Sequence, residues 1–337
     1  MQGGVVKYIS FPGVLCRRVA LAALACILPS MTHAAAPDDR YPTKPLRLIV
    51  GFTPAAATDL VARSLAIKLS ESLKTTVIVD NRPGAGGNLA YILGSSAPAD
   101  GYTLVFNTGG LVQNYALYKS QPYHPIRDFA PIAMVSKSPL LVVAKSSLPA
   151  SSIAEFVKYA KANPDKLSYS SAGNGNVTHL GNILFQQAVG IKAIHIPYSG
   201  SAPAMTDVIG GRIDYTTPTV ASAMPFLSDR RVRPLAVMSL TRSNALPDVP
   251  TVSEFTSAPF EVSSWLGVLA PAKTPSAIII RLHREINAVL ESTEFRTRLA
   301  ATGADLMSGT TDEYRKYIAD ELTRWTATIK ASGLTLE

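Results

Sequence analysis

Apolar and polar positions along this chain alternate between strand-sized buried runs and helix-sized amphipathic stretches. Leu46, Leu48, Ile49 and Val50 form the apolar run of a strand covered on both faces. Val61, Leu65, Leu69 and Leu73 follow at four-residue spacing, with Arg63, Ser64, Lys68 and Glu71 off that stripe, as in a surface helix. Between them, Thr53 is suited to cap the helix and Pro54 to open its first turn. The same device recurs. Thr75 to Asp80 predicts a strand, with a helix ending near Ser96, and Tyr102 to Phe106 a third strand closing on the loop Asn107-Thr108-Gly109-Gly110. Two strands are expected at Pro131–Val135 and Leu140–Ala144, then a helix opened by the capping box Ser152-Ile153-Ala154-Glu155.

Further on, strands at Leu167–Ser171, Ala193–Ile196 and Arg212–Thr216 each run into small polar residues and a helix, the first of which carries Leu180, Ile183, Leu184 and Ala188. Strands at Leu235–Ser239 and Val262–Leu269 precede three C-terminal helices. Strand–helix alternation predicts an α/β fold of two lobes, each a mostly parallel sheet flanked by helices, with the ligand cleft between them. The chain is expected to cross near residues 137–138 and 260–264, giving lobe 1 as 35–138 plus 261–337 and lobe 2 as 139–260.

The first residues differ from the rest. Lys7, Arg17 and Arg18 precede the apolar run Val19–Leu28 and then small residues, the order of a secretory signal; cleavage is expected after Ala34. The run is short for a membrane span, and Ala23 weakens a lipoprotein reading at Cys26. Both cysteines, Cys16 and Cys26, lie in this leader, so the mature chain has no disulfide and no thiol chemistry. Without the three leader cations the formal charge falls from +8 to +5, with acids interspersed and no basic stripe. That argues against nucleic-acid binding.

Catalytic patterns are missing. Gly84, Gly86 and Gly87 lack the third glycine of a dinucleotide fingerprint, since Leu89 stands there, and read as a turn or cleft rim. No serine-nucleophile motif and no paired histidine spacing is present; no metal and no cofactor is expected. Asp59 in a first helical turn complements the helix dipole, and Trp265 and Trp325 read as core aromatics. What recurs is the hydroxyl or amide side chain between a strand and a helix: Thr53, Asn107-Thr108, Ser171 with Asn174 and Asn176, Tyr198 with Ser201, and Thr217. Several such loops facing one another would offer N–H and O–H donors to a carboxylate.

These segments resemble a known family. Tyr41-Pro42-Thr43-Lys44-Pro45-Leu46-Arg47, Asp80-Asn81-Arg82-Pro83-Gly84-Ala85-Gly86-Gly87-Asn88, Asp100-Gly101-Tyr102-Thr103-Leu104, Ser171-Ala172-Gly173-Asn174-Gly175, Pro197-Tyr198-Ser199-Gly200-Ser201 and Leu246-Pro247-Asp248-Val249-Pro250-Thr251 are similar to the tripartite tricarboxylate transporter substrate-binding receptors, the Bug proteins. The resemblance implies a periplasmic, type II-like binding protein, monomeric and without enzymatic activity, that closes on a small organic acid and delivers it to inner-membrane permease subunits. A receptor feeding a membrane sensor kinase is the alternative. It implies that Phe52, Thr53, Ala55, Ala56, Ala57, Thr58 and Asp59, with Ser171, Ala172, Gly173, Asn174, Asn176 and Thr178, grip carboxylates. Ala55-Ala56 replaces the family's Gly-Gly pair, and Pro218 stands where an acid is common. The second departure removes a partner for an ammonium and implies a carboxylate without an amine.

Overall fold

In the computed structural model the described residues are 1, 3, 4, 8, 41–54 and 56–332. Apart from residues 1, 3, 4 and 8, the expected signal segment lies outside them, as do its cleavage point, both cysteines and Ala55. The order begins β1 (Leu46–Val50), α1 (Ala57–Leu73), β2 (Val77–Asn81), α2 (Asn88–Ser95), β3 (Thr103–Thr108) and α3 (Gly110–Leu117). Next come β4 (Phe129–Lys145), α4 (Ile153–Ala162), β5 (Ser168–Ser171), α5 (Val177–Val189), β6 (Ile194–Pro197) and α6 (Ser201–Ile209). After β7 (Tyr215–Thr216), α7 (Val220–Ala223), β8 (Val232–Met238) and α8 (Val252–Phe255), the chain returns through β9 (Ser263–Pro271). It ends with α9 (Ser276–Glu291), α10 (Thr293–Ala301), β10 (Asp305–Leu306) and α11 (Thr311–Ser332).

The strands join in the order β2-β1-β3-β9-β4-β7-β5-β6, with β10 and β8 also pairing to β4. Pairing is parallel at both ends, β1 with β2 and β3, and β5 with β6 and β7. It is antiparallel through the middle, where β9 and β4 carry the sheet from one half to the other. The parallel ends follow from helical crossovers, which place their loops at the carboxyl ends of the strands.

One expectation is corrected by β4. The two strands expected around Ser136-Lys137-Ser138-Pro139 are one strand of 17 residues. The polar residues and proline read as a break, but Lys137, Ser138 and Pro139 pair in register with Trp265, Ser264 and Ser263, with irregularities at Pro131/Ala133 and Met134/Ser136. The same ladder is where the chain passes into the second half and, from Val262, returns.

Helix α1 begins later than the Thr53-Pro54 signal suggests. Its cap is Ala56, in extended backbone (φ −64°, ψ 155°), and Thr53 instead accepts the Ala56 amide through its carbonyl oxygen at 3.2 Å. The face of α5 is also rotated: Leu180, Phe185 and Val189 are buried, whereas Ala188 is exposed. Helix α3 follows the expected loop Asn107–Gly110 and was not among the expected elements; Gln113 and Asn114 interrupt the apolar periodicity that would have signalled it.

Residues 39–337 cluster as one unit. A single apolar core explains why. Tyr91, Trp265, Tyr314 and Trp325 from the first half join Phe156, Phe185 and Tyr215 from the second in one cluster. A second cluster lies between α1, α9, α10 and the β1–β3 face, and a third beneath α6 and α7. Side chains of this size, at most 1% exposed, supply about 1.5–3 kcal/mol each on burial.

Candidate functional site

A cavity of about 830 Å³ lies at the carboxyl ends of the parallel strands. On one side it meets the β1–α1 turn. Phe52, Ala57 and Thr58 line it, and the amides of Ala57 and Thr58 make no hydrogen bond among the described residues. First-turn amides have no helical partner, and the helix dipole favours negative charge there. Below the turn, Asp59 is fully buried; it accepts from Arg63 Nε at 2.9 Å and from Asn81 Nδ2 at 2.8 Å. Asn81 Nδ2 also donates to the Phe52 carbonyl at 2.9 Å. Asp59 therefore holds the turn in place through Asn81 and does not line the cavity.

The opposite wall, from β5 into α5, is bonded to itself. Ala172 N donates to Thr178 Oγ1 at 2.8 Å, Gly173 N to Ser171 Oγ at 3.2 Å, Gly175 N to His179 Nδ1 at 3.1 Å and Thr178 N to Asn176 Oδ1 at 3.0 Å. Ser171 Oγ lies 2.7 Å from His195 Nε2, and the His195 and His179 rings stack at 3.9 Å with 7° between planes. Burial pushes both imidazoles down to about 4, and the neighbouring His195 ring lowers His179 further. Both rings therefore stay neutral at pH 7 and can accept the bonds that shape the loop. Asn174 is exposed at the cavity edge.

The floor comes from residues the sequence reading did not single out. Ser136, Ser138 and Ser264 on β4 and β9, and Gly109, Gln113 and Asn114 at α3, all line the cavity. Asn114 Nδ2 donates to the Gly86 carbonyl at 3.2 Å and so fixes the glycine run, which forms a rim containing Ala85 and Gly86. Gly86 has φ +64°, the left-handed region that glycine enters without strain. Among the described lining residues Arg298, on α10, is the charged one; it pairs with Glu294 at 2.9 Å. No Asp or Glu is among them.

Of the residues expected at the site, Phe52, Ala57, Thr58, Thr108, Ala172, Gly173, Asn174, Asn176, Thr178 and Ser201 line this cavity together. Thr53, Ala56, Asp59, Asn107, Ser171, Tyr198 and Thr217 are placed elsewhere. Side chains alternate along a strand, so Thr108 faces the cavity while Asn107 accepts from Tyr314 OH at 2.8 Å in the core. Thr217 is buried and donates to the Thr178 carbonyl at 2.9 Å, and Tyr198 OH donates to Asp207 at 2.6 Å. Thr53 is exposed. Pro218 is buried and does not line the cavity.

A mixed sheet with its strand ends and helix fronts gathered around one cleft is the architecture of periplasmic binding proteins. The model of the tripartite tricarboxylate transporter family receptor matches residues 61–334, and the chain belongs to that family. Among solved structures, Rpa4515 of R. palustris with adipate is 33% identical, superposes with a TM-score of 0.79 and matches 88% of this chain and 99% of its own. The periplasmic binding protein BugD is 32% identical (TM-score 0.77; 88% and 100% covered). MatC from Rhodopseudomonas palustris with bound malate is 28% identical (TM-score 0.75; 86% and 100%). The family is one of periplasmic solute-binding receptors, and among the described residues no helix is long and apolar enough to cross a membrane.

Proposed function

We propose that this chain is an exported receptor that binds a small organic carboxylate without an amine, performs no chemistry on it, and delivers it as a monomer to a tripartite tricarboxylate-type permease. The leader, residues 1–34, would be removed on export. Residues 35–138 with 261–337 would form one lobe and 139–260 the other, closing about β4 and β9. The observation that carries this reading is the cleft's donor-rich lining: open amides at Ala57 and Thr58, several hydroxyls, Arg298, and no acidic side chain among the described lining residues. Such a surface favours an anion and offers an ammonium no counter-charge. The acids named with Rpa4515 and MatC, adipate and malate, belong to the same chemical class.

The test is calorimetry and thermal shift of the mature protein against succinate, malate, adipate, benzoate, aspartate and glutamate. A binding acid at 100 to 1,000 times its dissociation constant should stabilise by about 3–4 kcal/mol. Binding confined to the two amino acids, or absent throughout, would overturn the proposal.

A further inference from the structure

We propose that Gln113 is a ligand-contacting, specificity-determining residue whose side-chain Nε2 donates to an oxygen of the bound acid; the inference rests on the carboxylate-receptor reading above. Gln113 lines the cavity yet is only 3% exposed, and its Nε2 is buried with no hydrogen-bond partner among the described residues. Its place is fixed from both ends of the first turn of α3. Gln113 N donates to the Gly109 carbonyl at 3.2 Å, and Gly109 N donates to the Trp265 carbonyl at 3.1 Å. A Cβ on Gly109 would fall 3.1 Å from Trp265 Nε1 and 3.4 Å from Gln113 Nε2, so glycine leaves the room in which the amide sits.

The neighbouring polar groups are already satisfied. Trp265 Nε1 donates to Glu321 Oε2 at 3.2 Å, Asn114 Nδ2 to the Gly86 carbonyl at 3.2 Å, and Gly110 N to Thr108 Oγ1 at 3.1 Å. Thr108 Oγ1 also lies 3.2 Å from Tyr91 OH. Against that background one buried donor stands out, because buried polar groups in folded proteins are nearly always paired. A leucine would fill the same space in an otherwise apolar helix face. An amide that donates into the cleft instead selects a ligand carrying an acceptor there, a carboxylate or hydroxyl oxygen, and adds no charge.

The experiment compares native protein with Gln113→Leu, Gln113→Met and Gln113→Glu by calorimetry against whichever of succinate, malate, adipate or benzoate binds the native protein. The apolar variants are expected to bind 5- to 100-fold more weakly, the range of one lost donor, while their unliganded melting temperature is unchanged or higher. Gln113→Glu is expected to bind more weakly still, because it sets a carboxylate against the ligand's own. A structural role for Gln113 would lower stability together with affinity. Affinities of the apolar variants within twofold of native, or tighter binding by Gln113→Glu, would overturn the inference while leaving the receptor reading intact. Silence of the native protein across all four acids would overturn both.

Discussion

The two walls of the cleft are built from similar strand–turn–helix units, yet they use their backbone amides to different extents. At the front of α1 the Ala57 and Thr58 amides are open, and the buried groups behind them, Asp59 and Asn81, serve only to hold the turn. At the front of α5 the amides of Ala172, Gly173, Gly175 and Thr178 are spent on the loop's own side chains. The first wall leaves its helix-front amides open; the second ties most of its loop amides to side chains and leaves those of Asn174 and Val177 without a partner among the described residues. A helix N-terminus is thus a binding element only where its neighbours leave the amides unused.

The largest expected effect comes from removing the support of the open wall. Asp59→Ala removes a fully buried carboxylate that accepts from both Arg63 and Asn81 and should destabilise the fold by about 2–4 kcal/mol, read as a lower denaturant midpoint. Stability equal to native would mean that the turn holds its shape by other means.

Next is Ala57→Pro, which deletes one open amide where proline suits a helix's first position and the preceding Ala56 is already extended. Affinity for the bound acid should fall by about 1.5–3 kcal/mol, with stability unchanged within about 0.5 kcal/mol. Asn174→Ala across the cleft should cost less. If the two losses prove equal in a titration, the asymmetry of the walls is wrong.

The smallest effect is that of acid on the closed wall. His179 and His195 are held down to about 4, against about 6.5 in an unfolded chain. The native state therefore binds fewer protons than the unfolded state between those values. The stabilisation is complete above about pH 6.5 and is lost as pH falls toward 4. Discounting for the partial exposure of His195, the pair should lose roughly 2 kcal/mol between pH 7 and 5. Melting curves of native protein and His195→Gln over that range should converge at the acid end; parallel curves would remove the histidines from the account.

How much of this could be read from the chain differs by level. The strand of Leu46–Val50, the Leu65-Leu69-Leu73 stripe of α1 and the core positions of Trp265 and Trp325 were legible because burial writes a local, periodic pattern. Boundaries were less so: Thr53-Pro54 carries a start signal that the Ala56 backbone overrides, and Pro139 reads as a break inside a continuous ladder. Site residues were legible by segment but not by side. Asn107 beside Thr108, and Ser171 beside Ala172, differ by a single position, which along a strand decides between core and cleft. Gln113 was illegible because its neighbours Gly109 and Trp265 are a turn away and a strand away, and only the fold brings the three together.

Pro139 and Ser263 face each other across the β4–β9 ladder. The segment between them leaves the β4–β9 ladder and comes back to it at one spot, carrying the wall from Ala172 to Pro225. One wall of the pocket is therefore a single cassette: one pair of crossovers exchanges it for a relative's while the open wall, with its Ala57 and Thr58 amides, is inherited untouched.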